Sequence, residues 1–361
     1  MSIKKIAELS GSSPATVSRI LSNPNYKCST PGLREKVWKI AMEMNYTPNE
    51  AARNLKKGNA KKWTDSYSMD ILMTRMEGAN SDPFFSELLR CVESQIHAQN
   101  CILSSLWYKS LFSDDKKCEQ TRIEPIIKEM IVEAATVESA KKGLIIIGKC
   151  NDKVIQILKR YYKNIVSINR NSTNYEVDEV ICDGRKIAAM AVNYLVSLGH
   201  SRIAYVGNCR GEARYKGYQD VLRENVIDFF PEYIMDVKQT EKQGFQTMKK
   251  FMVLEDPPTA IYCANDITAV GMLKCLNQYN TSLYSPSIIS SDDIEEAQNT
   301  NPMLTTVRLP KENMAKFAVY LLLDRMRGGH NEVVRMELEG KLMIRNSCGL
   351  AGEARHPEYY I

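Results

Sequence analysis

Residues 1–58 read MSIKKIAELSGSSPATVSRILSNPNYKCSTPGLREKVWKIAMEMNYTPNEAARNLKKG, and this stretch decides how the chain is organised. Ser2 can N-cap a first helix whose buried face is Ile3, Ile6, Ala7 and Leu9. Gly11 supplies the break. Ser13 caps a second helix, with Pro14 at its first position, where a missing N–H costs nothing. Val17, Ile20 and Leu21 then point inward, and Ala15, Thr16 and Arg19 outward. The connection of a few residues is helix-turn-helix spacing. Thr30 and Pro31 repeat the cap-plus-proline start for a third helix, with Leu33, Val37, Ile40, Ala41 and Met44 on its core side. Asn45 and Pro48 end it. Asn49 can cap one more short helix over 50–56, with Leu55 as its one large apolar residue. An isolated helix so short is marginal in water, so this one needs a partner to order it. Residues 56–65 read as a linker.

Charge sets this head apart. Residues 1–62 hold 12 Lys/Arg against 4 Asp/Glu, a net +8, while the other residues hold 36 against 39, a net −3. A basic head on a slightly acidic body points to a polyanion partner for the head alone. At 361 residues, 44% hydrophobic and 25% charged, the whole is an ordinary globular chain of more than one domain. Ten Cys are scattered without a CxxC pair, and four His lie far apart, so neither a disulfide framework nor zinc-ligand spacing is visible. No apolar run reaches membrane-spanning length, and the first residues lack the apolar core of a signal peptide. The expectation is a cytoplasmic protein with no metal, no cofactor and no membrane partner.

From Ser68 the pattern becomes apolar strands alternating with amphipathic helices. Expected strands are Met69–Thr74, Ile102–Trp107, Gly143–Gly148, Ile165–Ile168, Arg202–Gly207, Thr259–Ala264 and Ile288–Ser291. Expected helices include Phe85–Ala98, Lys186–Leu198, Tyr215–Glu224, Asp266–Asn277 and Lys311–Arg327. Strands apolar on both faces, such as GLIIIG, joined by helical crossovers imply a parallel α/β sheet. The number of units fits two subdomains, with a ligand crevice beyond the carboxyl ends of the strands.

Both halves carry motifs of one family. ATVSR at 15–19, Asn23, REKV at 34–37, NYTPN at 45–49 and AARNL at 51–55 mark the head. DPFF at 82–85, LVSLGHSRIAYVG at 195–207, RYKGY at 214–218, AIYCANDITAVGML at 260–273 and LTTVRLP at 304–310 mark the body. The sequence resembles the LacI/GalR family of bacterial transcription regulators over nearly its whole length. That resemblance implies an N-terminal all-α helix-turn-helix head plus a two-subdomain, periplasmic-binding-protein-like parallel α/β core. The expected boundaries are 1–48 for the DNA-binding domain, 49–62 for the hinge helix and linker, and 63–361 for the effector-binding and dimerisation core. Within the core, the first subdomain is expected over about 69–165 plus 310–330, and the second over about 166–307 plus 331–348.

For DNA, the resemblance implies that the helix at 14–21 lies in the major groove, with Pro14, Ala15 and Arg19 near base edges. Arg19 can pair bidentately with a guanine. Ser13, Thr16, Asn23, Thr30 and Asn49 become phosphate or backbone contacts, which position without specifying. The segment bearing Ala52 and Leu55 becomes a hinge helix, and Leu55 wedges into the minor groove of a pseudo-palindromic operator bound by a homodimer.

For the effector, the resemblance implies a sugar between the subdomains, lined by Phe84, Phe85, Asn169, Arg214, Asn265, Asp292 and Leu309. Arg214 offers a planar multi-donor fork suited to vicinal hydroxyls. Asp266 reads instead as a helix-capping structural acid, and the Asp292–Asp293 pair also suits the start of the helix after it. Three residues depart from the family pattern: Ser12 for a usual Val, Asn169 for a usual effector-binding Asp, and Leu309 for a usual polar residue. Leu309 and the IIIGK stretch are similar to a galactoside-responsive subgroup. No catalytic constellation is visible, so an enzyme is not expected. A purine or sugar-phosphate corepressor is the alternative effector, and a solute-binding protein of sugar transport the alternative class.

Overall fold

The structure, a computed structural model, describes residues 3–22, 30, 32–43, 67–75, 82–133, 141–169, 176–279 and 284–352. The chain divides into two compact units, residues 1–65 and 66–361. Expectations for Asn23, Asn49, Ala52 and Leu55, and for the hinge helix as a whole, lie outside the described residues.

The head contains helices Ile3–Ser10, Pro14–Ser22 and Leu33–Glu43. Ile6, Ala7, Val17, Ile20, Leu21, Val37 and Ala41 form its buried core, with Leu33 and Ile40 packed partly against it. Gly11 takes φ +69, a left-handed turn that L side chains rarely adopt, and Ser12 N donates to Ala7 O at 2.9 Å. The Ser12 hydroxyl sits 2.8 Å from that of Ser10, so the residue that replaces a usual Val is satisfied by a hydroxyl pair within the turn. Ser13 caps the second helix as expected, its Oγ accepting from Thr16 N at 3.1 Å.

Two readings of the head change. Leu9 is 51% exposed. At about 100° per residue it lies about 60° outside the arc that Ile6, Ala7 and Ser10 bury. The third helix starts at Leu33 rather than on a Thr30 cap. Gly32, at φ +74, makes the entry, and Leu33 N reaches Thr30 O, a backbone contact at 3.4 Å.

The second unit contains twelve described strands. In chain order they are Ser68–Met73 (β1), Ile102–Tyr108 (β2), Lys142–Ile147 (β3), Asn164–Asn169 (β4), Asp178–Ile181 (β5) and Ile203–Gly207 (β6). Then come Ile234–Asp236 (β7), Ala260–Cys263 (β8), Ser287–Asp292 (β9), Thr305–Arg308 (β10), Arg335–Glu337 (β11) and Lys341–Met343 (β12). They form two six-stranded sheets ordered β11-β5-β4-β3-β1-β2 and β12-β10-β9-β8-β6-β7. All pairings are parallel except β10 with β12. Each sheet has its first strand between its second and third, so the direction in which successive strands are added reverses between β1 and β3 and again between β6 and β8. Those are topological switch points, where the crossover helices leave opposite faces and a crevice opens.

This topology moves the expected lobe boundaries. Asn164–Asn169 and Asp178–Ile181 belong to the first lobe, because β4 and β5 extend the sheet of β3 in register, Ile145 opposite Val166 and Val166 opposite Asp178. The return segment is also split. Arg335–Glu337 adds to the first sheet beside β5, and only Lys341–Met343 joins the second. Strands of three or four residues are too short to show a period, which is why β5, β7, β10, β11 and β12 escape a sequence reading.

Several buried polar groups brace the lobes. The Asp178 carboxylate accepts from Arg325 Nη2 at 2.7 Å, from Val334 N at 2.8 Å and from His330 Nε2 at 2.9 Å, tying the last long helix to β5 and to the entry of β11. In the second lobe, helices Glu241–Phe251 and Asp266–Tyr279 meet through glycines. A Cβ on Gly244 would lie 2.0 Å from Thr268 O, and one on Gly271 would lie 2.0 Å from Glu241 O.

Candidate DNA-reading face and effector cleft

The reading helix leaves one face to solvent. Ser13, Pro14, Ala15 and Arg19 are exposed and Thr16 is half-buried, while Val17, Ile20 and Leu21 are buried. Thr30 is also exposed. Ser13 thus caps the start of this exposed face, and Arg19 stands in the last turn of the same helix, so the face offers both phosphate and base-edge chemistry.

The cleft of the second unit sits at the carboxyl ends of the strands. It is open to solvent, and its lining includes Arg75, Phe84, Phe85, Lys149, Asn169, Asn208, Arg210, Glu212 and Arg214. The register explains the first-lobe contribution. Met73 lies opposite Ile147, and Ile147 opposite Ile168, so the residues just beyond them, Arg75, Lys149 and Asn169, emerge along one edge. From the second lobe, the loop after β6 supplies Asn208 to Glu212, and the helix Ala213–Glu224 supplies Arg214. Phe84 and Phe85 begin the helix Pro83–Ala98, capped by Asp82, and meet edge to face at 5.2 Å.

Of the seven effector residues expected from sequence, Phe84, Phe85, Asn169 and Arg214 line this cleft. Arg214 is already engaged. It is 1% exposed, and its Nε and Nη2 donate to the two oxygens of Glu212 at 2.9 and 3.1 Å. Nη1 donates to Ala264 O and Nη2 also to Gln239 Oε1 at 3.2 Å. Burial alone would lower its pKa, but the Glu212 carboxylate outweighs that and the net shift is upward.

The other three do not line the cleft. Asn265 caps a helix, its Oδ1 accepting from Thr268 Oγ1 at 2.6 Å. Asp292 is buried at the end of β9 with φ +134, and its carbonyl accepts from Lys311 Nζ at 3.3 Å. Leu309 is 1% exposed inside the apolar core. The neighbouring acids are structural. Asp293 accepts from Arg308 and Arg345. Asp266 accepts from Ser290 and Thr306 hydroxyls, each at 2.6 Å, and from Ile294 N at 2.9 Å. Asp266 therefore braces β9, β10 and the following loop, and capping falls to Asn265. Burial raises the Asp266 carboxyl pKa.

Arg75, Lys149, Asn208, Arg210 and Glu212 are cleft residues that the motif reading missed. Their signal was positional, since each lies within five residues of the carboxyl end of an expected strand. Beside the cleft, Glu87 of the first lobe links to the second. Its carboxylate accepts from Lys311 Nζ at 2.6 Å and from Glu295 N at 3.3 Å. Lys311 Nζ also donates to Asp293 O at 2.9 Å and stands 5.7 Å from the Phe84 ring centre. Among the described residues, no group of three or more His, Cys, Asp or Glu is placed to hold a metal ion. No helix among them is long and apolar enough to cross a membrane.

Residues 2–49 match the family model of bacterial regulatory proteins, lacI family, and residues 192–348 match a periplasmic binding protein-like domain. The HTH-type transcriptional repressor CytR of Escherichia coli is 30% identical over 354 residues, 96% of this chain and 95% of the relative. The chain belongs to the LacI family of bacterial transcriptional regulators. It is also similar to the HTH-type transcriptional repressor PurR of Aliivibrio salmonicida, at 26% identity over 96% of this chain and 98% of the relative. In fold it resembles the lac repressor dimer bound to operator and the anti-inducer ONPF, with a TM-score of 0.63 at 22% identity, covering 97% and 99% of the two chains. A second such LacI-type structure is the regulator CelR–cellobiose complex, with a TM-score of 0.65 at 20% identity, covering 96% and 100%. Like its LacI-family relatives, the chain is a DNA-binding transcriptional repressor controlled by a small molecule, and it is not an enzyme.

Proposed function

We propose that this LacI-family chain acts in the cytoplasm as a homodimer. It holds a pseudo-palindromic operator next to genes of carbohydrate use, and a small sugar-type effector bound in the cleft releases it. The observation that carries this reading is the pairing of a capped helix with a solvent-facing Pro14–Arg19 edge and a two-lobed cleft at paired switch points. Arg19 reads a guanine; Ser13, Thr16, Asn23, Thr30 and Asn49 hold the backbone; Pro14 and Ala15 add only apolar contact. In each subunit the segment bearing Ala52 and Leu55 folds as a helix against its counterpart in the minor groove. Effector binding changes the angle between the lobes and separates those helices. By linkage, operator binding then weakens effector binding by the same factor.

The galactoside implied by Leu309 loses its basis, since that side chain is in the core rather than on the cleft wall. Effector roles for Asn265 and Asp292 are set aside for the same reason. The test is footprinting on DNA flanking the protein's own gene, followed by gel shift with and without sugars, nucleosides and their phosphates. A protected palindrome whose occupancy falls with one ligand supports the reading. Protection that no ligand alters refutes control through the cleft.

A further inference from the structure

The charge of the cleft narrows the effector's chemistry. Two cations come from the first lobe, Arg75 and Lys149, and two from the second, Arg210 and Arg214. The one carboxylate in the described lining is Glu212, and both its oxygens accept from Arg214. Lys149 pairs with Asp115 at 2.6 Å, and Arg210 Nε lies 3.9 Å from Asp236, but neither acid lines the cleft. The side chains in these pairs are 42 to 82% exposed, so water screens them and a ligand can compete for the cations.

The hydroxyls of a neutral sugar both donate and accept, so such a ligand is held best where donors and acceptors are mixed. The described lining is instead rich in donors and poor in uncommitted carboxylates. Positive charge on both rims also opposes closure unless something negative sits between them. The ring pair Phe84–Phe85 offers an apolar floor for a sugar face or a base.

We propose that the effector is a phosphorylated small molecule. Its sugar or base rests on Phe84 and Phe85, and its phosphoryl group bridges Lys149 and Arg210 across the cleft. This deepens the function proposed above and rests on it. The anion would neutralise both rims at once, so lobe closure is coupled to that one group.

The experiment is calorimetric titration of the full-length dimer. Probes are glucose, galactose, ribose and adenosine, each beside its monophosphate, with inorganic phosphate as a further arm. One phosphorylated probe should bind at least tenfold more tightly than its neutral partner. The Lys149→Gln/Arg210→Gln double variant should lose at least tenfold for that probe while keeping the wild-type circular dichroism spectrum. Sugar phosphates and adenosine monophosphate separate the two bodies the floor could carry. A neutral probe that binds more tightly than its phosphate, and equally in wild type and variant, overturns the anionic effector but leaves the cleft regulator standing. Binding of inorganic phosphate alone, with no effect on operator affinity, also overturns it. If no probe binds and none alters operator affinity, the anionic effector falls, and the cleft-controlled repressor falls with it.

Discussion

Glu212 and Arg214 stand two residues apart, straddling a helix start, and close a two-pronged ion pair on the floor of the cleft. The guanidinium is 1% exposed and the carboxylate group 11%. Removing one partner of such a pair strands a buried charge, which costs about 3–5 kcal/mol. Glu212→Gln should therefore lower core stability by that order in urea unfolding followed by circular dichroism. A loss well below 1 kcal/mol would show that Gln239 and the Ala264 carbonyl suffice for Arg214.

Arg19, proposed above to read a base, has the clearest chemistry for it on the exposed face. Arg19→Lys keeps the charge but loses the planar fork, so about 1–3 kcal/mol of discrimination at one base pair should vanish. Gel shift against operators varied one position at a time will show it. A uniform loss at every position would mark Arg19 as a phosphate contact instead.

Pro14 and Ala15 offer little hydrogen-bonding specificity, so the operator complex proposed above leaves much of the discrimination to DNA deformation at its centre. That proposed complex puts Leu55 there. Leu55→Ser should weaken operator binding about tenfold or more with little change in folding. An unchanged gel-shift midpoint would remove the wedge from the mechanism.

His330 gives the first lobe a pH dependence. Its ring nitrogens lie 2.6 Å from Asp324 and 2.9 Å from Asp178. Burial alone lowers its pKa, the two carboxylates raise it, and the net shift is upward from 6.5. A folded-state pKa above the unfolded one means the protonated form favours folding. That contribution is complete below about pH 6.5 and is lost as pH rises through the higher folded value. The urea midpoint should fall over that range, and His330→Gln should flatten the slope.

Gly271 lies where two helices touch backbone to backbone. A methyl there would sit 2.0 Å from the Glu241 carbonyl oxygen, so the helices must part. Gly271→Ala should cost about 1–3 kcal/mol despite its better helix propensity. A melting temperature equal to or above wild type would show that the pair slides apart freely.

The sequence by itself determined the elements and their class. Ser13, Pro14 and Gly11 act locally, through a cap, a fixed φ and a left-handed turn, and the structure has the cap and the turn where that chemistry puts them. The GLIII run and its helical neighbours likewise announce a parallel sheet, since only burial on both faces allows such a run. Tertiary structure alone decided the cleft. Whether Arg214 faces a ligand or Glu212, and whether Asn265 faces a ligand or Thr268, depends on which neighbour arrives first in space. Sheet order decided that Arg75 and Lys149, 74 positions apart in the chain, emerge side by side at adjacent strand ends. The lobe boundaries belong there too, because three-residue edge strands such as Arg335–Glu337 have no period of their own. Their place is fixed by the sheet edge that accepts their hydrogen bonds.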